Sequence, residues 1–444
     1  MGSHAWDCRS FNPLAYREDI IQQRAERFST VFATLFLTTS AGSDQQEQFL
    51  ALALSTGHIK LLRVKDAVAS WLGRSVPAPA YLTWKAHQAP VTSLTCLDSD
   101  SPKALLISCG EDGAVRAWPL PVLLQHVLPT SGTTGTPSSL KTPPSVDVSP
   151  SLEGHISRGA VGFAGSAPGI TCSVLDVQSG HLVAGSTEGG VHVFDIRAAV
   201  AAAGNTSSSR QGAPSPIPCL ASLVGHQAGI LCVDVCAQSG LVASGSEDGT
   251  LKIWDVKTGL AGCQATPPSS LPLLLQPTHT ICPSMNGILP SNASAQMQCA
   301  RNASPVTAAR FQDGSWVVCG LGGEAPVLAL WSMDAGALAM RVPLPCVPQA
   351  MVVQPGEILL AGTAPALYKF SFTGELIAQH GLASPTRSVF ALDVLPGNPA
   401  GDTKAGSIAP GAVAVAGNQG GCDLLSRFGT QLAALYASSV GQED

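Results

Sequence analysis

Charge is scarce in this chain: only 12% of its 444 residues are Asp, Glu, Lys or Arg. Basic residues are not in excess either, 24 against 30 acidic for a net charge of -6, so the electropositive surface needed for autonomous binding to a phosphate backbone is missing. No apolar run reaches the roughly 18 residues of a membrane span. The opening MGSHAWDCRS puts polar and acidic residues where a secretory signal has its apolar stretch. A soluble, intracellular protein without membrane contact is expected. The 13 cysteines contain no C-x-x-C pair, which argues against a zinc knuckle and against a disulfide framework. Cys96, Cys172 and Cys232 instead lie inside apolar runs and read as small hydrophobes of a sheet core. Catalytic frames are absent too: there is no G-x-S-x-G, H-E-x-x-H, P-loop or dinucleotide fingerprint. From this, neither enzyme activity, nor a cofactor, a metal or a small-molecule substrate is expected.

What the chain does have is 45% apolar residues together with 45 Gly and 33 Pro, the makeup of many short strands joined by turns. An internal repeat gives those strands an order. SCGEDGAVRAW (108–118) and SGSEDGTLKIW (244–254) match closely, and Ala86-His87 and Gly225-His226 precede them. Each unit is an apolar strand, a tight turn holding an Asp-Gly pair, and a second strand that carries Trp six residues beyond the Asp. This Gly-His to Trp-Asp frame is similar to that of the WD-repeat family.

Degenerate copies follow the same rhythm at 52–64, 182–197, 316–333, 358–372 and 413–428, for seven units in all. The fold expected is all-β: a seven-bladed WD40-type β-propeller over 30–438, whose ring leaves few open sheet edges. Segments 126–160, 198–217 and 258–303 are dense in Ser, Thr, Pro, Gly and Ala, so they are expected to be disordered, mobile surface insertions. Residues 1–29 form an N-terminal extension in which 13–29 reads as an amphipathic helix. Residues 439–444 remain as a C-terminal tail.

By the WD-repeat resemblance, His87, Ser108, Asp112 and Trp118 form one hydrogen-bonded chain across a blade, and His226, Ser244, Asp248 and Trp254 form another. Both sets look like a catalytic Ser-His-Asp arrangement. A set recurring inside successive sheets is a structural lock, because a buried His or Asp is tolerable only when partnered and catalysis needs an exposed nucleophile.

A narrower resemblance rests on KAHQAPVTSL (85–94), GEDGAVRAW (110–118) and GSEDGTLKIWDVKTG (245–259). It extends to the less standard GSWVVCG (314–320), LALWSM (328–333), FTGELIAQ (372–379), VAVAGN (413–418) and FGTQLAALYAS (428–438). From about residue 19 to about 438 the chain resembles the family of the sixth subunit of the THO complex. That resemblance implies a nuclear scaffold that helps couple messenger-RNA transcription and processing to export. Its implied partners are the other THO subunits, with RNA contacted mostly through them. VFDIR (193–197) also looks like the box by which some WD proteins dock on the adaptor of a cullin-4 ubiquitin ligase, and there Asp195 and Arg197 would make the contact. The simpler reading of that pair is a solvated strand end.

Overall fold

The computed structural model describes residues 29–39, 47–73, 81–99, 101–127, 151–155, 168–205, 214–261, 272–284, 287–288, 304–397 and 408–436, together with Leu14 and Arg17. Blade one consists of β1 (Val31–Thr39), β2 (Glu47–Leu54), β3 (His58–Arg63), helix α1 (Val64–Trp71) and β4 (Tyr81–Lys85). Blade two has β5 (Val91–Leu97), β6 (Leu105–Gly110), β7 (Ala114–Pro119), α2 (Leu120–Gln125) and β8 (Leu152–His155). Blade three has β9 (Ile170–Asp176), β10 (His181–Ser186), β11 (Val191–Asp195), α3 (Ile196–Asn205) and, after the short β12 (Ser215–Pro216) that the chain adds to the sheet of blade two, β13 (Cys219–Leu223). In blade four, β14 (Ile230–Cys236), β15 (Leu241–Ser246) and β16 (Leu251–Asp255) lead through α4 (Val256–Ala261) and past β17 (Leu273–Leu275), which joins the sheet of blade three, to β18 (His279–Cys282) and β19 (Gly287–Ile288).

The remaining blades carry no helix between their third and fourth strands. Blade five is β20 (Val306–Asp313), β21 (Trp316–Leu321), β22 (Val327–Ser332) and β23 (Ala337–Pro343), and blade six is β24 (Pro348–Gln354), β25 (Glu357–Gly362), β26 (Ala366–Phe370) and β27 (Leu376–Gly381). Blade seven is β28 (Val389–Val394), β29 (Val413–Gly417), β30 (Gly421–Leu425) and β31 (Gln431–Tyr436). The molecule is thus a seven-bladed β-propeller of the WD40 kind.

One ladder register runs through all seven sheets. The innermost strand of each has a bulge between its first and third residues, and it pairs so that the third strand puts a bulky apolar residue on one shared rung. Those rung residues are Leu62, Trp118, Phe194, Trp254, Trp331, Phe370 and Leu425. All seven are buried. Alternation along each strand sends one face of a blade against its neighbour on one side and the other face against its neighbour on the other. The core is therefore a series of inter-blade seams rather than a single centre.

The four helices have a common placement, because each leans on the blade before its own. Leu120, Leu123 and Leu124 of α2 join the core of blade one, Ile196 and Ala199 of α3 join blade two, and Val256 of α4 joins blade three. Val64 and Ala67 of α1 pack with Ala433 and Leu435 of β31 and so bridge the first blade to the last. No backbone pairing joins blades one and seven among the described residues. Besides α1, that seam is held by Gln48, whose side-chain amide donates to the Ile408 carbonyl and accepts from its N–H, both at 2.9 Å. Asp393 accepts the Phe36 N–H there at 2.6 Å, and the Phe32 and Phe390 rings meet at 5.6 Å.

Two expectations from the sequence need correction or limits. The intervals 126–160, 198–217 and 258–303 are not loop throughout: they hold β8, most of α3 with β12, and part of α4 with β17, β18 and β19. Each blade completes its sheet where the chain returns to it, anchored by buried residues such as Leu152, Ile217 and Ile281. The expected N-terminal helix over 13–29 and the tail over 439–444 fall outside the described residues, apart from Leu14 and Arg17, which are helical and exposed, and Ser29, which is buried.

Candidate functional site

In blade four the Asp248-Gly249 turn joins β15 to β16, and Gly249 adopts a φ of 75°, which a side chain would strain. This turn brings Asp248 beneath the loop that carries His226. His226 Nδ1 lies 2.9 Å from Asp248 and Nε2 lies 2.8 Å from Ser244 Oγ, while Trp254 Nε1 donates to the same hydroxyl at 2.9 Å. Since the carboxylate can only accept, Nδ1 carries the imidazole proton and the Ser244 hydroxyl donates to Nε2. Asp248 also accepts from the backbone of Gln227 and Thr250 and from the Thr250 hydroxyl. Burial works against its ionisation, yet the bond from His226 and the others outweigh burial and hold the carboxyl far below the usual range. The same burial lowers the His226 pKa, with Asp248 opposing it.

Blade two repeats the arrangement. His87 reaches Asp112 at 2.9 Å and Ser108 at 2.8 Å, and Trp118 Nε1 donates to Ser108 at 2.9 Å. Arg116 adds a layer that blade four lacks, pairing with Asp112 at 3.0 Å and Glu153 at 2.7 Å. At the matching position blade four has Lys252, almost wholly buried and bonded to Thr280 Oγ1 at 3.1 Å. In both blades the serine is fully buried and its oxygen already receives the tryptophan N–H. Each hydroxyl is thus enclosed and already bonded, and in this arrangement the constellations hold a turn to a sheet.

Sequence reasoning missed a third lock. In blade seven Asp423 is fully buried and accepts from the backbone N–H groups of Ala383 and Ser384, from the Ser384 hydroxyl and from Gln431 Nε2. Asn418 caps the neighbouring loop by accepting from the Arg387 and Ser388 N–H groups at 2.8 and 3.1 Å. No His or Trp marks this unit, and only an Asp inside the apolar run GCDLL could have pointed to it. Blade three differs again: Phe194 occupies the rung, and His192, its pKa lowered to about 4 by burial, meets Ser222 at 3.1 Å.

Asp195 and Arg197 lie at the step from β11 into α3. Asp195 caps that helix by accepting the Ala198 N–H at 2.8 Å. The half-exposed Arg197 guanidinium is held by the Val177 carbonyl at 2.8 Å and by Asp98 at 3.3 Å. Around the ring axis the innermost strands enclose a cavity of about 390 Å³, lined among others by Thr34, Thr95, Arg310, Gln349 and Asp393. Among the described residues no group of three or more His, Cys, Asp or Glu side chains is placed to hold a metal. No helix there is long and apolar enough to cross a membrane.

Comparison with known proteins places these features. The family model "WD domain, G-beta repeat" matches residues 80–119 and 217–255, the two stretches that carry the His-Ser-Asp-Trp sets. THO complex subunit 6 of Arabidopsis thaliana is 24% identical over 451 residues, spanning 98% of this chain and 99% of that protein. THO complex subunit 6 of Homo sapiens is 23% identical over 353 residues, spanning 79% and 81% of the two chains. The homolog of Danio rerio is 21% identical over 348 residues, covering 78% and 84%. A crystal structure of the WD40 β-propeller domain of Doa1 overlays with a TM-score of 0.47 at 14% identity, over 88% of this chain and 94% of that one. The ring itself rests on this chain's own seven sheets.

Proposed function

We propose that this chain, a WD-repeat propeller of the THO complex subunit 6 family, is a non-catalytic scaffold subunit of a nuclear THO complex, joining messenger-RNA transcription and processing to export. The observation that carries this reading is similarity to a protein of that name along 98% of the chain and 99% of the relative, well beyond the two matched repeats. The chemistry agrees with it. Both Ser-His-Asp sets are spent on internal hydrogen bonds, and the net charge of -6 offers RNA no broad basic face, so RNA is met mainly through partner subunits. Arg197 is already engaged by Asp98 and Val177, and docking on a ligase adaptor would first have to break those contacts. The test is recovery of the tagged full-length chain from nuclei under native conditions. The other THO subunits should come with it in stoichiometric amounts, and the Arg197→Ala protein should recover them equally. Their absence from the wild-type complex would reject the scaffold assignment, and a cullin adaptor recovered in their place and lost with Arg197→Ala would make the chain a substrate receptor.

A further inference from the structure

Each blade ends in an outer strand whose far side turns alternate N–H and C=O groups away from the sheet, and this chain covers those edges in a recognisable way. In blade two β12 adds in parallel to β8, and in blade three β17 adds in parallel to β13, pairing Ala221, Ser222 and Leu223 with Leu273, Leu274 and Leu275. In blade four β19 extends β18. Both parallel additions come from segments rich in Ser and Pro that return from elsewhere in the chain, and β17 is itself a run of three leucines. The outer strand of blade seven, β31, has α1 packed on it. The other uncovered edges carry the residues that discourage pairing: β4 ends on Lys85, and β23 contains Arg341 and Pro343.

β27 of blade six is different. Among the described outermost strands of four or more residues it alone has neither an added strand, a packed helix, a charge nor a proline, its sequence being LIAQHG. A bulge where Phe370 pairs with Leu376 leaves two consecutive apolar side chains outside, Leu376 at 48% and Ile377 at 54% exposure. At its other end the turn of blade seven lies against His380 and presents Phe428 at 75% exposure. An edge of unpaired backbone groups flanked by exposed apolar side chains is the surface that β-augmentation uses: the main chain supplies the bonds and alternate side chains supply the selectivity.

We propose that β27 is a docking edge for an extended, apolar segment of a partner protein flanked by Ser or Pro, adding to blade six as β17 adds to blade three. The occupant follows from the chain itself, which seats such a segment, the three leucines of β17, on the equivalent strand of blade three and a shorter Ser-Pro pair on that of blade two. The inference does not depend on which complex the chain joins, because it is read from the isolated protein, and loss of the THO assignment would leave its test unchanged.

The probe is a synthetic peptide with the chain's own sequence over 269–278, SSLPLLLQPT, titrated into the full-length protein by fluorescence anisotropy. Saturable binding is expected, and the surface double variant Leu376→Lys, Ile377→Lys should weaken it by about tenfold or more while melting as the wild type does. A peptide N-methylated at alternate backbone nitrogens of the leucine run should bind as poorly as the double variant does. Three results would overturn the proposal: no binding at millimolar peptide, binding unchanged in the double variant, or equal binding of the N-methylated peptide. Concentration-dependent self-association abolished by the same substitutions would also overturn it, assigning the edge to a second copy of this chain.

Discussion

Blades one to four and blades five to seven finish the same four-stranded sheet in two ways. The first four insert a helix before the outer strand and lay it on the preceding blade, so the junctions seven-one, one-two, two-three and three-four each receive a helical buttress. The last three join third and fourth strands by tight turns and rely on sheet-to-sheet packing. Polar locks are distributed differently: His-Ser-Asp-Trp chains in blades two and four, and a carboxylate gripping backbone N–H groups in blade seven. The difference teaches that a propeller blade needs its rung residue and its turn held, while the chemistry of the holding group is free to vary. It also explains how the ring closes without an exchanged strand among the described residues, since the junction lacking a covalent connection has a helix, an amide pair and a half-buried carboxylate across it.

The comparison breaks first at the rungs. Trp254→Ala should cost about 3–5 kcal/mol, because it empties a fully buried site and strips the Ser244 hydroxyl of its donor. Trp254→Phe, which keeps most of the volume and loses only that bond, should cost about 1–2 kcal/mol in denaturant melts. If Trp254→Phe melts as the wild type does, the hydrogen-bonded chain contributes nothing and packing alone defines the blade; if the two variants melt alike, the shared loss of that bond is the whole effect.

If the carboxylate of blade seven is a true counterpart of the His-based locks, Asp423→Ala should cost about 2–4 kcal/mol, for it leaves the N–H groups of Ala383 and Ser384 without that acceptor and the Gln431 amide with the Ala433 carbonyl alone. Asp423→Asn should recover only part of the loss. Hydrogen exchange gives the finer reading: faster exchange in β28 to β31, with β14 to β16 unchanged, is expected, and a uniform rise would mean that the ring unfolds as one unit.

A smaller effect tests the closing seam by pH. Burial pushes the Asp393 carboxyl up to about 6, against the pull of the Phe36 and Val394 N–H groups. The folded state therefore binds this proton more tightly than the unfolded chain, and its contribution to stability falls as pH rises from the unfolded value near 3.8 through about 6. Asp393→Asn keeps an acceptor for Phe36 and should flatten this part of the stability curve. A slope identical to that of the wild type between those values would show that Asp393 does not sense the seam. Asp234, placed alike at the four-five junction and accepting the Phe311 N–H at 2.7 Å, has Arg310 beside it and serves as the internal control.

At the small end, Arg197→Ala should change stability by no more than about 0.5 kcal/mol, since half-exposed ion pairs are weak. A larger loss would place the helix-bearing half under more strain than its packing implies.

By itself the sequence determined the ring and the places of two of its polar locks. Seven recurrences of apolar strand, turn and apolar strand specify sheets that bury both faces, and Asp at a fixed distance from Trp marks blades two and four because the turn and the rung lie on consecutive strands of one ladder. Local spacing is enough for such features, since the interacting groups belong to one hairpin and the loop before it. Only the tertiary structure decided how blade one meets blade seven, where the helices lean, which outer edge stays open, and that an aspartate in GCDLL replaces a histidine as a lock. Apart from that lock, which grips the loop before its own blade, the partners come from different blades or from a returning segment: Gln48 and Ile408 are separated by 360 residues, and β17 lies about 50 residues beyond the strand it covers. No periodicity in a linear chain encodes such a pairing, because it is selected by the closure of the whole ring.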